Sequence, residues 1–265
     1  MKSNLIGFVQ GRLTKSPNNS LQYFPKKWDE EFKNANKLRV NFIELFSERK
    51  FNSKNPIWNK NGVESYKKNL KKNSLKPYAF TDNYIISNNL KLTKTKKYLN
   101  RLIKQINSLN IKFLILPMYG KSILTDKNYV SFIKSLKILT KNKKVKFLIE
   151  SNISISTFKK IEKEVNNRNL FFLYDVGNRA LLGNDPEIDI LQLGKKRLKH
   201  VHIKDKNTKG MNVKLGTGIA KFKKVFKALN KINYRGAFAF ETTRQNNPIQ
   251  TMRYNIKFLK NGLNV

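Results

Sequence analysis

Short apolar runs alternate with longer, lysine-rich amphipathic stretches along the whole chain. Leu5–Val9 opens the series and is followed by an amphipathic stretch over residues 28–38. Residues 40–46 form the second run, and a polar helical stretch follows around residues 63–70. The third run, residues 77–80, precedes a predicted helix over 98–109, where Leu99, Leu102, Ile103 and Ile106 recur at helical spacing. The fourth, residues 113–116, stops at Pro117, and the helix after it carries Tyr129, Phe132, Ile133, Leu136 and Leu139 on one side. Each of the last four runs leads into a residue able to bind a hard divalent cation. Residues 146–149 lead to Glu150, 170–174 to Asp175, 199–201 to His202 and 237–240 to Glu241. Helical patterns at 158–165, 188–193 and 222–232 separate these runs, and a last helix over 252–259 closes the series.

Eight strands, each followed by a helix at the repeat length of a βα unit, predict a (β/α)8 TIM barrel, in the α/β class, as a single domain over residues 1–265. An open doubly wound sheet usually begins with a G-x-G-x-x-G turn, whereas the first turn here reads Gln10-Gly11-Arg12-Leu13. No Gly/Ser or Pro tract marks a linker. If the last four runs are neighbouring parallel strands, their terminal side chains meet at the end of the barrel where such enzymes hold their chemistry.

Composition narrows the function. At 265 residues and 39% hydrophobic, the chain can bury a substantial core. It has no cysteine, which excludes disulfides, zinc–thiolate sites and a Cys nucleophile. The apolar stretch in residues 1–9 is too short for a signal peptide, and no run approaches the roughly 18 apolar residues of a membrane span. A soluble, cytoplasmic protein with no membrane partner is expected. The formal charge of +38 raises the question of nucleic acid. Its build argues otherwise, because lysine far outnumbers arginine and asparagine is abundant, as at residues 52–55 and 141–144. That bias is what AT-rich codons produce, and the lysines are scattered rather than gathered into an arm. Nucleic-acid surfaces lean on Arg and interleaved aromatics. No specific nucleic-acid partner is expected, although the charge can steer anionic substrates.

Six motifs then occur in order: Gly7-Phe8-Val9-Gln10-Gly11-Arg12-Leu13, Ile149-Glu150, Tyr174-Asp175-Val176-Gly177-Asn178, His200-Val201-His202-Ile203-Lys204-Asp205, Leu215-Gly216-Thr217-Gly218 and Phe240-Glu241-Thr242-Thr243. With these the chain resembles the xylose-isomerase-like barrel superfamily, and within it the sugar-phosphate isomerases and epimerases, over essentially its whole length. The resemblance implies one divalent ion, Mn2+, Mg2+ or Co2+, held by Glu150, Asp175, His202 and Glu241. Carboxylates with one imidazole suit such ions. It further implies that a ketose carbonyl and its adjacent hydroxyl are gripped while an enediolate forms, with Glu150 and Glu241 removing and returning the proton. His200 and His202 share a strand face, so alternation alone does not choose between them. The family ligand directly precedes the Ile-Lys-Asp segment, which selects His202.

The same resemblance places Asp205 in support of the metal shell and Lys204 near a substrate oxygen or phosphate, with a plain surface lysine as the alternative. Residues 215–218 read as a tight turn leading into a helix, either a phosphate cradle or an ordinary turn. Arg12, Lys121 and Arg244 follow the first, fourth and eighth strands, within reach of an anionic substrate end. Glu44, read as ending the second strand, and Trp58 either line the pocket or cap and pack it. Two departures stand out. Ketose 3-epimerases often carry a histidine where this chain has Asn178, and an acidic residue where it has residues 151–156, Ser-Asn-Ile-Ser-Ile-Ser. The expected partner is therefore a small-molecule sugar or sugar phosphate of undefined identity. Helix-covered barrels commonly form homo-oligomers, although so cationic a surface opposes pairing at low salt.

Three rival functions fit parts of the same pattern. A dehydratase acting on a cyclic or linear polyol would use the same ion and a Glu base. Apurinic endonucleases share the barrel, but their several histidines come from many strands, whereas this chain has two, both in one run. A non-catalytic binding protein would be expected to have a broken ligand quartet.

Overall fold

The apolar runs become strands whose side chains are buried on both faces, as parallel strands covered by helices require. A computed structural model describes residues 4–17, 20–141 and 144–263. Residues 1–3 and 142–143, which entered the N-terminal and lysine-turn readings above, lie outside it. The strands are β1 (Leu5–Val9), β2 (Phe42–Ser47), β3 (Ala79–Asp82), β4 (Phe113–Pro117), β5 (Lys146–Glu150), β6 (Leu170–Asp175), β7 (Leu198–Ile203) and β10 (Ala237–Phe240). They form a closed barrel in the order β1-β10-β7-β6-β5-β4-β3-β2. The (β/α)8 expectation holds. A separate antiparallel ladder joins β8 (Asp205–Lys206) to β9 (Asn212–Val213).

Packing divides the chain into two compact units. The first comprises Met1–Ile43, Asn73–Leu75 and Leu173–Val265. Within it β1 pairs with β10 (Leu5 opposite Ala237, Phe8 opposite Phe240), and β10 pairs with β7 (Ala237 opposite His200, Phe240 opposite Ile203). Its helices are α1 (Glu30–Lys37), α7 (Val176–Leu181), α8 (Pro186–Arg197), α9 (Phe222–Lys231) and α10 (Pro248–Leu263). The amphipathic α9 turns Phe222, Val225, Phe226 and Leu229 inward. Burying each such side chain contributes about 1.5–3 kcal/mol.

The second unit comprises Glu44–Lys72 and Lys76–Phe172. Here β2, β3, β4, β5 and the start of β6 pair in parallel, with Leu45 opposite Phe80, Phe80 opposite Leu114 and Pro117 opposite Glu150. All five β4 residues are buried. Helices α2 (Lys60–Lys72), α3 (Tyr84–Ser87), α4 (Thr93–Ser108), α5 (Tyr129–Leu139) and α6 (Ile155–Val165) belong to this unit. The predicted stripe Leu99, Leu102, Ile103 and Ile106 is the buried face of α4.

Three local readings change. β2 runs on to Ser47, so Glu44 lies inside the strand rather than at its end. Helix α4 starts at Thr93, five residues before the predicted start at residue 98, because Thr-Lys-Thr-Lys-Lys has helical capacity without helical periodicity. Helix α7 follows directly on Asp175, too short to give a periodic signal. Among the described residues no helix is long and apolar enough to cross a membrane.

Candidate metal centre

The first unit brings three strand-end side chains together. Asp175 is the last residue of β6, His202 the penultimate residue of β7, and Glu241 follows β10, its N–H donating to the Ile203 carbonyl at 3.1 Å. All three are buried. His202 Nδ1 lies 3.3 Å from Glu241 Oε2 and 3.7 Å from Asp175 Oδ2. The candidate ligand atoms of these residues fall within 4.8 Å of one another. His200 lies deeper, fully buried against the Phe42 ring, and its ring centroid is 5.2 Å from that of His202.

Each carboxylate has one oxygen anchored and one turned to the centre. Asp175 Oδ1 caps α7 by accepting the Asn178 N–H at 2.7 Å, a favourable place for a negative charge, while Oδ2 meets Lys204 Nζ at 2.7 Å. Glu241 Oε1 accepts Gln22 Nε2 at 2.7 Å, with Arg12 Nη2 3.7 Å away, and Oε2 accepts Lys204 Nζ at 2.8 Å. Burial pushes both carboxyls up, but Lys204 and His202 outweigh it. Asp175 is held below its ordinary range and Glu241 well below. Two ionised oxygens beside an imidazole nitrogen are a donor set that fits a borderline-to-hard divalent cation. Lys204 reaches them because α7 has glycine at its second position, where a Cβ at Gly177 would come within 2.7 Å of Lys204 Cγ.

Glu150 belongs to the second unit. It is buried as the last residue of β5; Tyr119 Oη donates to its Oε1 at 3.2 Å, and its carbonyl accepts Met118 N–H at 2.8 Å. In the same unit, Glu44 is fully buried and accepts Thr81 Oγ1 at 2.5 Å, and Trp58 packs on Phe51, Tyr98 and Arg101.

The residues predicted to face an anionic substrate end have other partners. Arg244 Nε donates to the Gly11 carbonyl, Nη1 to Ser20 O at 2.7 Å and Nη2 to Leu21 O at 3.1 Å, so the guanidinium ties down the segment after β1. Burial, with Arg12 nearby, lowers its pKa to about 10. Arg12 Nη1 donates to Leu21 O at 2.6 Å. Glu31 holds the same segment from α1, accepting the N–H groups of Gly11 and Leu13 and the Thr14 hydroxyl. Asp205, predicted in support of the metal shell, takes four backbone N–H groups. Lys206 (2.9 Å) and Ala220 (3.0 Å) donate to Oδ1, and Gly216 (3.0 Å) and Gly218 (2.8 Å) to Oδ2. The turn amides read as a phosphate cradle thus have an internal anion. Glycine is required at 218, where a Cβ would collide with the Asp205 carboxylate. Lys121 is exposed and Asn178 half-buried. Gln22 was not foreseen, because a lone polar residue in an irregular segment carries no periodic or motif signal.

The sequence matches the family model of the xylose isomerase-like TIM barrel over residues 32–262. The chain belongs to this family. Among curated xylose isomerase-like relatives, SgbU of Escherichia coli (strain K12), provisionally assigned as an L-ribulose-5-phosphate 3-epimerase, is 35% identical over 95 residues. That match spans 33% of each chain, about a third of the relative's length. The inosose dehydratase of Clostridium tetani (strain Massachusetts / E88) is 28% identical over 211 residues, 70% of each chain. In structure, D-psicose 3-epimerase of Clostridium cellulolyticum H10, solved with D-tagatose, superposes with a TM-score of 0.77 over 98% of this chain and 99% of its own. At 13% identity that likeness speaks for the fold.

Proposed function

We propose that this protein is a divalent-metal-dependent isomerase or epimerase of a sugar or sugar derivative. In this reading Glu150, Asp175, His202 and Glu241 hold one Mn2+, Mg2+ or Co2+ ion, and Glu150 and Glu241 are the catalytic pair. The observation that carries it is the buried grouping of Asp175, His202 and Glu241 at consecutive strand ends, with both carboxylates held ionised. Glu150 ends the strand next to β6 in the barrel order. When bound, the ion supplies Lewis acidity toward a carbonyl and its neighbouring hydroxyl.

The chain's own groups do the rest. One glutamate takes the proton from the carbon beside the carbonyl, and the other returns one. Gln22 and Tyr119 hold one oxygen of Glu241 and of Glu150 respectively, orienting the remaining oxygens. Lys204, bridging Asp175 and Glu241, can reach a substrate oxygen, and Arg12 and Asn178 steady the two carboxylates. The names of the epimerase relatives support this reading.

A second reading, dehydration of a polyol ketone, is favoured by the inosose dehydratase match, which extends over 70% of both chains. Both begin with the same proton abstraction. The test is to incubate protein and Mn2+ with ketoses and cyclic polyol ketones in D2O. Deuterium at one carbon of recovered or inverted sugar supports the isomerase, and an unsaturated product with loss of water supports the dehydratase. No exchange in a protein shown by calorimetry to bind Mn2+ would sink both.

A further inference from the structure

We infer that the sugar taken by this site carries no phosphate: it is an uncharged ketose or cyclic polyol ketone. The inference rests on the sugar reading above and narrows it. The sequence nominates five features for an anionic end: Lys121 is exposed in the second unit, and the four in the first unit, Arg12, Arg244, Lys204 and the turn amides of residues 215–218, already serve groups of the protein. Arg244 has its Nε, Nη1 and Nη2 donors on the carbonyls of Gly11, Ser20 and Leu21, and is itself buried. Arg12 donates to Leu21 O and faces Glu241. Lys204 is buried between the oxygens of Asp175 and Glu241, at 2.7 and 2.8 Å.

The turn decides most. The N–H groups of Gly216, Gly218 and Ala220, which a phosphate would need, converge on the buried Asp205 carboxylate. An anion is thus already built into that cradle. A phosphate placed there would meet Asp205, and one placed by Lys204 would meet Asp175 and Glu241. At the turn this sets like charges together, and at Lys204 it takes the place that Nζ holds between the two carboxylates. Hydroxyls, which donate and accept at once, suit these surroundings better, since carboxylates and carbonyls accept while Gln22 and Lys204 donate. The net charge of +38 draws anions to the surface at long range but cannot supply short-range partners inside the site.

The experiment is titration calorimetry of the Mn2+-saturated wild-type protein at about 0.15 M salt, where long-range steering is screened. The probes are matched pairs, L-ribulose with L-ribulose 5-phosphate and D-fructose with D-fructose 6-phosphate, together with an inosose and inorganic phosphate. At least one uncharged probe should bind, about tenfold or more tightly than its ester where it has one, since an unpaired buried charge is costly. Inorganic phosphate should not displace it. An ester that binds as tightly as its free sugar, displacement by phosphate, or failure of every uncharged probe to bind overturns the inference. Binding of an uncharged sugar without proton exchange in D2O would refute the isomerase reading while leaving this inference standing.

Discussion

Replacing Asp205 with Asn tests whether this residue is a loop anchor or part of the metal shell. The carboxylate accepts four backbone N–H groups, two on each oxygen, and is 1% exposed. An amide keeps the shape and one accepting oxygen, but it turns an NH2 group toward two of those N–H donors. Two donors lose their acceptor, and each such loss costs about 1–3 kcal/mol. Water reaches this half-buried turn in part, so a total near 3 kcal/mol is expected. In a chain of this size about 1 kcal/mol moves the melting temperature by roughly 2–4 °C. The Asp205→Asn protein should therefore melt about 6–12 °C lower. Its Mn2+ affinity, read by calorimetry well below the melting point, should stay within about threefold of wild type, a difference of under 1 kcal/mol. Scanning calorimetry gives the first number and titration the second. Unchanged melting with metal affinity lowered tenfold or more would refute the reasoning and return Asp205 to the metal shell.

Glu150→Gln and Glu241→Gln should each keep the far-ultraviolet circular dichroism of the fold. Each should lose turnover by at least about 10²–10⁴-fold, the usual worth of a general acid or base. Near-normal turnover in either variant with saturating Mn2+ would refute the two-carboxylate mechanism. Burial pushes Asp82 up from 3.8 to about 6, against the hydroxyls of Ser47 and Tyr98 that bond its Oδ1. The folded protein therefore takes up a proton below pH 6 that the unfolded chain releases. Relative to Asp82→Asn, wild type should gain about 1 kcal/mol between pH 7 and pH 5. Urea unfolding checks this, and a constant difference between the two proteins counts against a raised Asp82. DNA or RNA binding should be weak, sequence-blind and gone at moderate salt, as expected for diffuse phosphate attraction. Filter binding that survives physiological salt at sub-micromolar concentration would overturn that expectation.

What the sequence alone determined about this protein is local or repetitive. Strand and helix periodicities are written within a few residues, so the eight βα units could be read directly, with β4 and β5 beginning where expected. A residue that ends a strand is also a local property, and so Asp175 and Glu241 could be named as candidate ligands before any coordinates. His202 needed a motif as well, since His200 shares its strand face.

Tertiary structure alone decided which donor meets which acceptor. Arg244 is spent on carbonyls more than two hundred positions earlier, Asp205 on amides 11 to 15 residues later, and Gln22 on a glutamate 219 residues away. Periodicity carries no record of such pairs. A long polar side chain can satisfy its hydrogen bonds in many directions, and burial selects among them only once distant segments have packed together. That is why the candidate ligands were legible as strand ends, while the hydrogen bonds by which Arg244 and Asp205 hold the segment after β1 and the glycine turn were not.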